Sequence, residues 1–175
     1  YEKYLEAKKS DSTIRIISQN DYSLGFVTAE NEMNDWHFIA ENVTDFSFAT
    51  SKTFNWDGAS VVVDSISGRR ALTDVIYKDS TIHYDKAAEY ARTTIDYLSK
   101  DLPGFPYPYS HATTYCNGNY GGGMESPMMA NNGGPTDRAN HIGLIFHEIA
   151  HNYFPFIMGT NERKYAWMDE GFASY

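Results

Sequence analysis

The sequence is poor in the features that mark several large classes of protein. Its 175 residues include one cysteine, Cys116, so no disulfide can form within the chain. The apolar runs are short, as at 143–146, whereas a membrane-spanning helix needs about 20 apolar residues. Lysine and arginine number 14 against 23 acidic residues, and they are scattered. The sequence therefore argues against a disulfide-stapled fold, a transmembrane segment and a basic nucleic-acid-binding face.

Apolar and aromatic side chains, by contrast, are abundant and make up 42% and 15% of the chain. This content supports a packed core and excludes intrinsic disorder. The length corresponds to about one domain, or to one domain with a piece of another. The first residues, YEKYLE, contain neither an initiator methionine nor the basic and apolar regions of a signal peptide. We therefore expect a processed or truncated form of a longer chain.

The first half of the chain is predicted to be rich in β-strands. The segment 13–18 is rich in β-branched residues, and aromatic residues alternate with other side chains over 36–48. This period-two pattern is typical of half-buried strands. Two more strands are predicted over 59–64 and 72–77, with a turn at 67–68 between them.

Helical periodicity follows in two places. Apolar residues at helical spacing over 84–102 predict a helix that ends before a Pro-Gly pair. A second apolar face begins at about Thr136 and is limited by Pro155. A further helix is predicted from about Lys164.

Between these helices the sequence predicts a strand and two loops. The strand covers 111–115, a glycine-rich stretch at 117–123 is unsuited to a helix, and 131–135 is predicted to be a loop. Strands predominate up to about residue 77 and helices after it, and we expect an α+β fold.

The sequence HEIAH places His147 and His151 four residues apart. On a helix, both rings then project from one face about one turn apart and can bind a single zinc ion. Glu148 lies about 100° around the helix from His147, where it can take a proton from a zinc-activated water without being a ligand. His141 is turned away from this face. The alternative is an amphipathic helix whose histidines are ordinary surface or core residues.

A catalytic zinc of this type needs a third protein ligand and an open fourth position. Glu170 follows His151 after 18 residues (152–169), which is enough for a loop and a second helix packed against the first. Asp169 is its neighbour, but it would point about 100° away on that helix, so only one of the two can face the zinc. We expect Glu170 to be the ligand.

These residues resemble a known family. HEIAH, 18 intervening residues and a glutamate within WMDEGFASY resemble the M1 family of zinc metallopeptidases, the gluzincin aminopeptidases. The family's second signature, a Gly-x-Met-Glu-Asn loop, has a counterpart in the sequence GGMES at 122–126. Glu125 precedes His147 by 22 positions (147 − 125), which is similar to the family's separation.

The resemblance implies a role for each residue of the zinc motif. His147, His151 and Glu170 would hold one Zn²⁺ ion. Glu148 would act as the general base and then donate a proton to the leaving amine. The intact enzyme would remove N-terminal residues from peptides.

The resemblance also implies a substrate-binding segment. Glu125 would bind the free α-amino group of a peptide, while the backbone of Gly122, Gly123 and Met124 would pair with the substrate's main chain. An extended edge segment can pair with a peptide in this way, and a carboxylate can bind an ammonium group. Ser126 departs from the family pattern, in which asparagine is usual.

The resemblance extends over much of the chain. Residues 1–52 look like the C-terminal part of a β-sheet domain, and 53–175 look like the N-terminal part of a thermolysin-like catalytic domain. The chain would then be a fragment. The family's oxyanion-stabilising tyrosine is expected some tens of residues beyond Glu170, so Tyr175 does not qualify.

Two other functions stay open. One is a thermolysin-like endopeptidase, and the other is a metal-binding module that recognises peptides without turnover. The expected partners are peptides with a free N-terminus, not nucleic acids. The general character of the chain favours an extracytoplasmic bacterial location, either secreted or periplasmic.

Overall fold

A single five-stranded sheet forms the centre of the fold in the computed structural model, which describes residues 1–25, 27 and 32–175. The strands follow one another in chain order, from β1 at one edge to β5 at the other. β1–β2 and β2–β3 pair antiparallel, whereas β3–β4 and β4–β5 pair parallel. The strands are Ile14–Ile17 (β1), Asn55–Asp64 (β2), Arg69–Tyr77 (β3), His111–Tyr120 (β4) and Met129–Gly134 (β5).

Helices precede, connect and follow these strands. The α-helices are Glu2–Ala7 (α1), Gln19–Ser23 (α2), Ala87–Lys100 (α3), Arg138–Ala150 (α4) and Glu170–Ser174 (α5). Short 3₁₀ turns cover Tyr84–Lys86 and Ala166–Met168, and a π-helical turn covers Asn152–Ile157. No helix among these described segments is long and apolar enough to cross a membrane.

The core lies where α3 and α4 pack against the sheet. α3 buries small and apolar residues at helical spacing, among them Ala91, Ile95 and Leu98. α4 contributes Ile145 and Ile149, each at most 1% exposed. Because α3 contacts β2 and α4 contacts β5, the helix that carries the HEIAH sequence is fixed against the sheet edge formed by β5.

The predicted strands over 36–48 are wrong. The described residues from 32 to 54 contain no strand, and their aromatic side chains are largely exposed, with Trp36 at 64% and Phe38 at 76%. A period-two pattern is a local signal, whereas a strand needs a neighbouring strand for its backbone hydrogen bonds. No described strand pairs with this segment.

The loop predicted over 131–135 is also wrong, because β5 occupies most of it. Asparagine and glycine have low strand propensity, but the β5 backbone pairs parallel with β4 over Thr113–Cys116. β4 itself continues to Tyr120, into the glycine-rich stretch where no strand was expected. Tertiary pairing overrides local propensity at this edge.

The helix predictions hold in part. α3 and α4 occupy the predicted positions, but the helix expected from Lys164 is reduced to the 3₁₀ turn and the five-residue α5. α1 and α2 lie in the region that was expected to be entirely β. The mixed sheet with helices is confirmed, whereas the thermolysin-like character and the division into 1–52 and 53–175 stay predictions.

Candidate metal centre

His147 lies in the last turn of α4, and His151 is the C-cap of the same helix. Its N-terminus is capped by Asp137, whose carboxylate accepts a hydrogen bond from the Asn140 backbone N–H at 2.9 Å. One turn apart, His147 and His151 face each other with their Nε2 atoms 3.2 Å apart. Two zinc–nitrogen bonds of about 2.0–2.1 Å at a tetrahedral angle place their nitrogens about 3.3 Å apart. The two rings therefore fit a shared metal.

Glu170 completes this group from a different element. It is the first residue of α5, which packs against α4, and its Oε2 lies 3.2 Å from His147 Nε2. One donor atom each from His147, His151 and Glu170 lies within 4.8 Å of the other two. Two imidazoles and one carboxylate are a donor set that suits zinc and leaves a fourth position open. The residues present therefore fit a catalytic zinc ion.

Asp169 occupies a position that the sequence reasoning missed. Its Oδ1 lies 2.6 Å from His151 Nδ1, and the Phe154 carbonyl oxygen accepts a hydrogen bond from the same nitrogen at 3.2 Å. Because both oxygens are acceptors, the proton belongs on Nδ1 and the lone pair on Nε2, which faces His147. Burial raises the pKa of Asp169, and the attraction of His151 opposes this rise. The sequence offered one signal for this position, because Asp169 is a carboxylate next to the predicted ligand Glu170.

Glu148 lies buried beside the same group, with 3% of its surface exposed. Burial raises the pKa of its carboxyl group to about 7, and the carboxylates of Glu125, Glu170 and Asp169 add to the rise against the attraction of His151. Its Oε2 has no hydrogen-bond partner in the described part of the chain. An orphaned buried carboxylate oxygen next to three metal donors fits a site that takes in a water molecule and a cation.

The segment that leads to Glu125 runs along β5. Met124 and Asn131 exchange both backbone hydrogen bonds, at 3.0 and 2.9 Å, and the Gly133 N–H donates to the Gly122 carbonyl at 3.0 Å. This pairing brings Glu125 to the metal group, where donor atoms of Glu125, Glu148 and His151 lie within 4.8 Å of one another.

Gly123 comes close to Glu148. A Cβ on Gly123 would lie 2.2 Å from Glu148 Oε1, so the lack of a side chain allows the segment to approach the carboxylate. Met124 is 60% exposed, and Tyr175 is 94% exposed at the end of the chain.

The structure thus brings together the predicted zinc ligands, Glu148 and Glu125, with Gly123 beside Glu148. Gly122 and Met124 are located by their pairing with β5. The zinc-ligand candidates come from α4 and α5, the base candidate from α4, and the substrate-binding candidates from the segment beside β5. His141 points elsewhere, into the core, where its Nδ1 lies 3.0 Å from the His83 carbonyl oxygen.

Comparisons with known proteins give a limited similarity. No protein-family model matches the chain, and no curated protein sequence matches it. Similar solved structures include an M1 zinc metallopeptidase from Deinococcus radiodurans, with a TM-score of 0.48 and 17% sequence identity over 67% of this chain. Another is a two-domain M1 zinc metallopeptidase mutant bound to L-arginine, with the same three values. The chain spans only 26% of the length of these proteins, so its function has to be inferred from its own residues.

Proposed function

We propose that this chain carries the zinc site of an M1-type aminopeptidase, which hydrolyses the N-terminal peptide bond of peptides. The observation that supports it is the convergence of His147, His151 and Glu170 within 4.8 Å, with the buried carboxylate of Glu148 beside them. When bound, one zinc ion would act as a Lewis acid towards a scissile carbonyl and would lower the pKa of a water molecule towards about 7.

Glu148 is suited to the proton transfers of this reaction. A general base works best when its pKa lies near the operating pH; burial raises the pKa of Glu148 to about 7 in the metal-free site, and the charge of a bound zinc ion would lower it from there. Its unpartnered Oε2 is available to accept a proton from a water molecule and to pass that proton to the leaving amine. Because Gly123 has no side chain, the segment can lie close to this carboxylate.

Glu125 and the segment before it are suited to binding the peptide. The segment 122–124 is extended and bonded on one side to β5, and an extended segment of this kind can pair with a substrate main chain. Glu125 at its end offers a carboxylate to an α-ammonium group. This arrangement favours removal of N-terminal residues over cleavage within a chain. The extracytoplasmic location that the sequence analysis expects is also part of the proposal.

The decisive experiment separates zinc binding from turnover. We expect one zinc per chain by elemental analysis, and loss of that zinc in His147→Ala. Glu148→Gln should retain the zinc but lose peptidase activity by about 10²-fold or more, since general acid–base catalysis contributes about 10²–10⁴-fold. Glu162→Gln, which neutralises an exposed glutamate, is the matched control. Zinc binding without turnover, both in this chain and in a longer chain that includes it, would instead support the peptide-recognition module.

A second assay separates the aminopeptidase from an endopeptidase. Glu125→Ala should raise KM for peptides with a free amino group much more than for N-acetylated peptides. Equal losses on both would contradict the assignment of Glu125 to the amino group and would favour the endopeptidase.

A further inference from the structure

Four carboxylates surround the two histidines: Glu125, Glu148, Asp169 and Glu170. Glu170 lies close to the ring of His147, and Asp169 lies close to the ring of His151. Within residues 1–25, 27 and 32–175, no lysine or arginine forms a salt bridge with any of the four. A zinc ion on His147, His151 and Glu170 would engage only one of these carboxylates directly, so the site retains an excess of negative charge.

Three of these carboxylates form a second group of potential metal donors. One oxygen each from Glu125, Asp169 and Glu170 lies within 4.8 Å of the others. This set consists only of oxygen atoms, which suit hard cations such as Mn²⁺, Mg²⁺ or Ca²⁺, whereas the imidazoles of the first set suit zinc. A carboxylate has two oxygens, so Glu170 can contribute to both groups.

Glu148 places a further buried carboxylate beside these three. Its side chain is 3% exposed, and its Oε2 has no hydrogen-bond partner among the described residues. One oxygen of this carboxylate lies within 4.8 Å of a donor atom of Glu125 and of one of His151. A buried carboxylate oxygen without a donor is costly unless a ligand supplies the positive charge or the proton.

We propose that the site binds a second divalent cation, a hard ion held by Glu125, Asp169 and Glu170, next to the zinc position. The cation occupies the carboxylate that would otherwise bind the substrate's α-ammonium group, so ion and substrate compete for Glu125. The competition, though not the cation site, rests on the proposed aminopeptidase function. An excess of a hard divalent cation therefore inhibits peptide hydrolysis at this site.

Mn²⁺ is the probe for the second site, because the electron paramagnetic resonance signal of free Mn²⁺ reports how much remains unbound. The full chain is first loaded with one equivalent of zinc and then titrated with Mn²⁺. We expect one saturable Mn²⁺ per chain. Its affinity should fall about tenfold or more in Glu125→Gln, because a direct ligand is lost. Glu162→Gln, which removes the same charge from an exposed position, should bind Mn²⁺ as the wild type does.

Zinc binding serves as the control for folding in this titration. Glu125 is not in the zinc set, so Glu125→Gln should still bind one zinc, which shows that the variant is folded. Mn²⁺ binding that does not saturate, or that is equal in the wild type and Glu125→Gln, would overturn the second site and leave the zinc proposal intact. If His147→Ala binds zinc as tightly as the wild type, the proposed function fails instead.

A second titration tests the competition. The peptide Ala-Ala, which has a free amino group, should weaken Mn²⁺ binding about tenfold or more when it saturates the site, whereas N-acetyl-Ala-Ala should leave it unchanged. Equal effects of the two peptides, or no effect of either, would overturn the competition for Glu125.

Discussion

The contact between Asp169 and His151 predicts that Asp169 affects zinc affinity although it is not one of the proposed zinc ligands. Asp169 Oδ1 lies 2.6 Å from His151 Nδ1, in a pocket where the Asp169 side chain is only 10% exposed. At this distance the Asp169 carboxylate attracts the Nδ1–H group of His151. Loss of such a partner behind a metal ligand typically lowers affinity by about 10–100-fold, which corresponds to about 1.4–2.7 kcal/mol. We therefore expect Asp169→Ala to weaken zinc binding by about 10–100-fold.

Two features of the structure refine this expectation. The Phe154 carbonyl also accepts from His151 Nδ1, at 3.2 Å, so the ring keeps one orienting contact in every variant. Asp169→Asn keeps an oxygen acceptor but loses the charge, so its loss should be smaller than that of Asp169→Ala. The order of zinc affinity is therefore wild type, Asp169→Asn, Asp169→Ala, with Glu162→Gln equal to the wild type.

Competition with a chromophoric zinc chelator measures these affinities directly at less than one equivalent of zinc. If Asp169→Ala binds zinc as the wild type does, the Asp169 carboxylate does not orient His151. If Asp169→Ala abolishes binding as fully as His151→Ala while Glu170→Ala retains it, Asp169 is the third ligand and the assignment of Glu170 is wrong. Both results are distinct from the graded loss expected here.

Three further predictions concern stability and are checked by urea denaturation. Burial lowers the pKa of His141 to about 4, below its ordinary value of 6.5, beside the Tyr84 and Tyr90 rings and near Arg138 and Asp85. The unfolded chain therefore binds the proton more tightly, and His141 should cost at most about 1.4 kcal/mol of stability per pH unit as the pH falls from 6.5 to 4. His141→Phe should flatten this dependence, and an unchanged slope would contradict it. Gly58→Val should lower the free energy of unfolding by about 1–3 kcal/mol, because a Cβ would lie 2.8 Å from Ile16 Cδ1. Gly143→Ala should raise the free energy of unfolding by about 0.5–1 kcal/mol, because a Cβ at this helical position meets no atom within 4 Å. A loss of stability would contradict the statement that this position has room for a side chain.

Residues whose positions follow from helix geometry could be predicted from the sequence. The spacing of four between His147 and His151 determines that their rings share a face, whatever the rest of the fold does. The buried faces of α3 and α4 follow from the same periodicity. Glu170 needed one further assumption, that the chain returns to α4 after 18 residues, and the structure brings it within 3.2 Å of His147.

Features that depend on distant partners could not be predicted in this way. β5 forms because β4 lies beside it, although its sequence of asparagine and glycine is typical of a loop. The aromatic alternation over 36–48 has the opposite outcome, since no described strand pairs with it. The position of Asp169 depends on an irregular turn before α5, where helical angles give the wrong direction.

The charge of the chain acquires a physical meaning at the metal centre. The net charge of −9 indicates only a surplus of acidic residues, but the structure places four of them around two histidines. Two ionised carboxylates with oxygens 4.8 Å apart, the upper limit within this group, repel each other by about 3.5 kcal/mol at an effective dielectric constant of about 20. Protonation of Glu148, with its pKa of about 7, relieves part of this repulsion at neutral pH. No described lysine or arginine forms a salt bridge with the four carboxylates, so bound cations have to relieve the rest. Under the proposals above, those cations would be the zinc ion and either the second cation or the substrate's ammonium group, so cation binding would contribute both stability and specificity at this site.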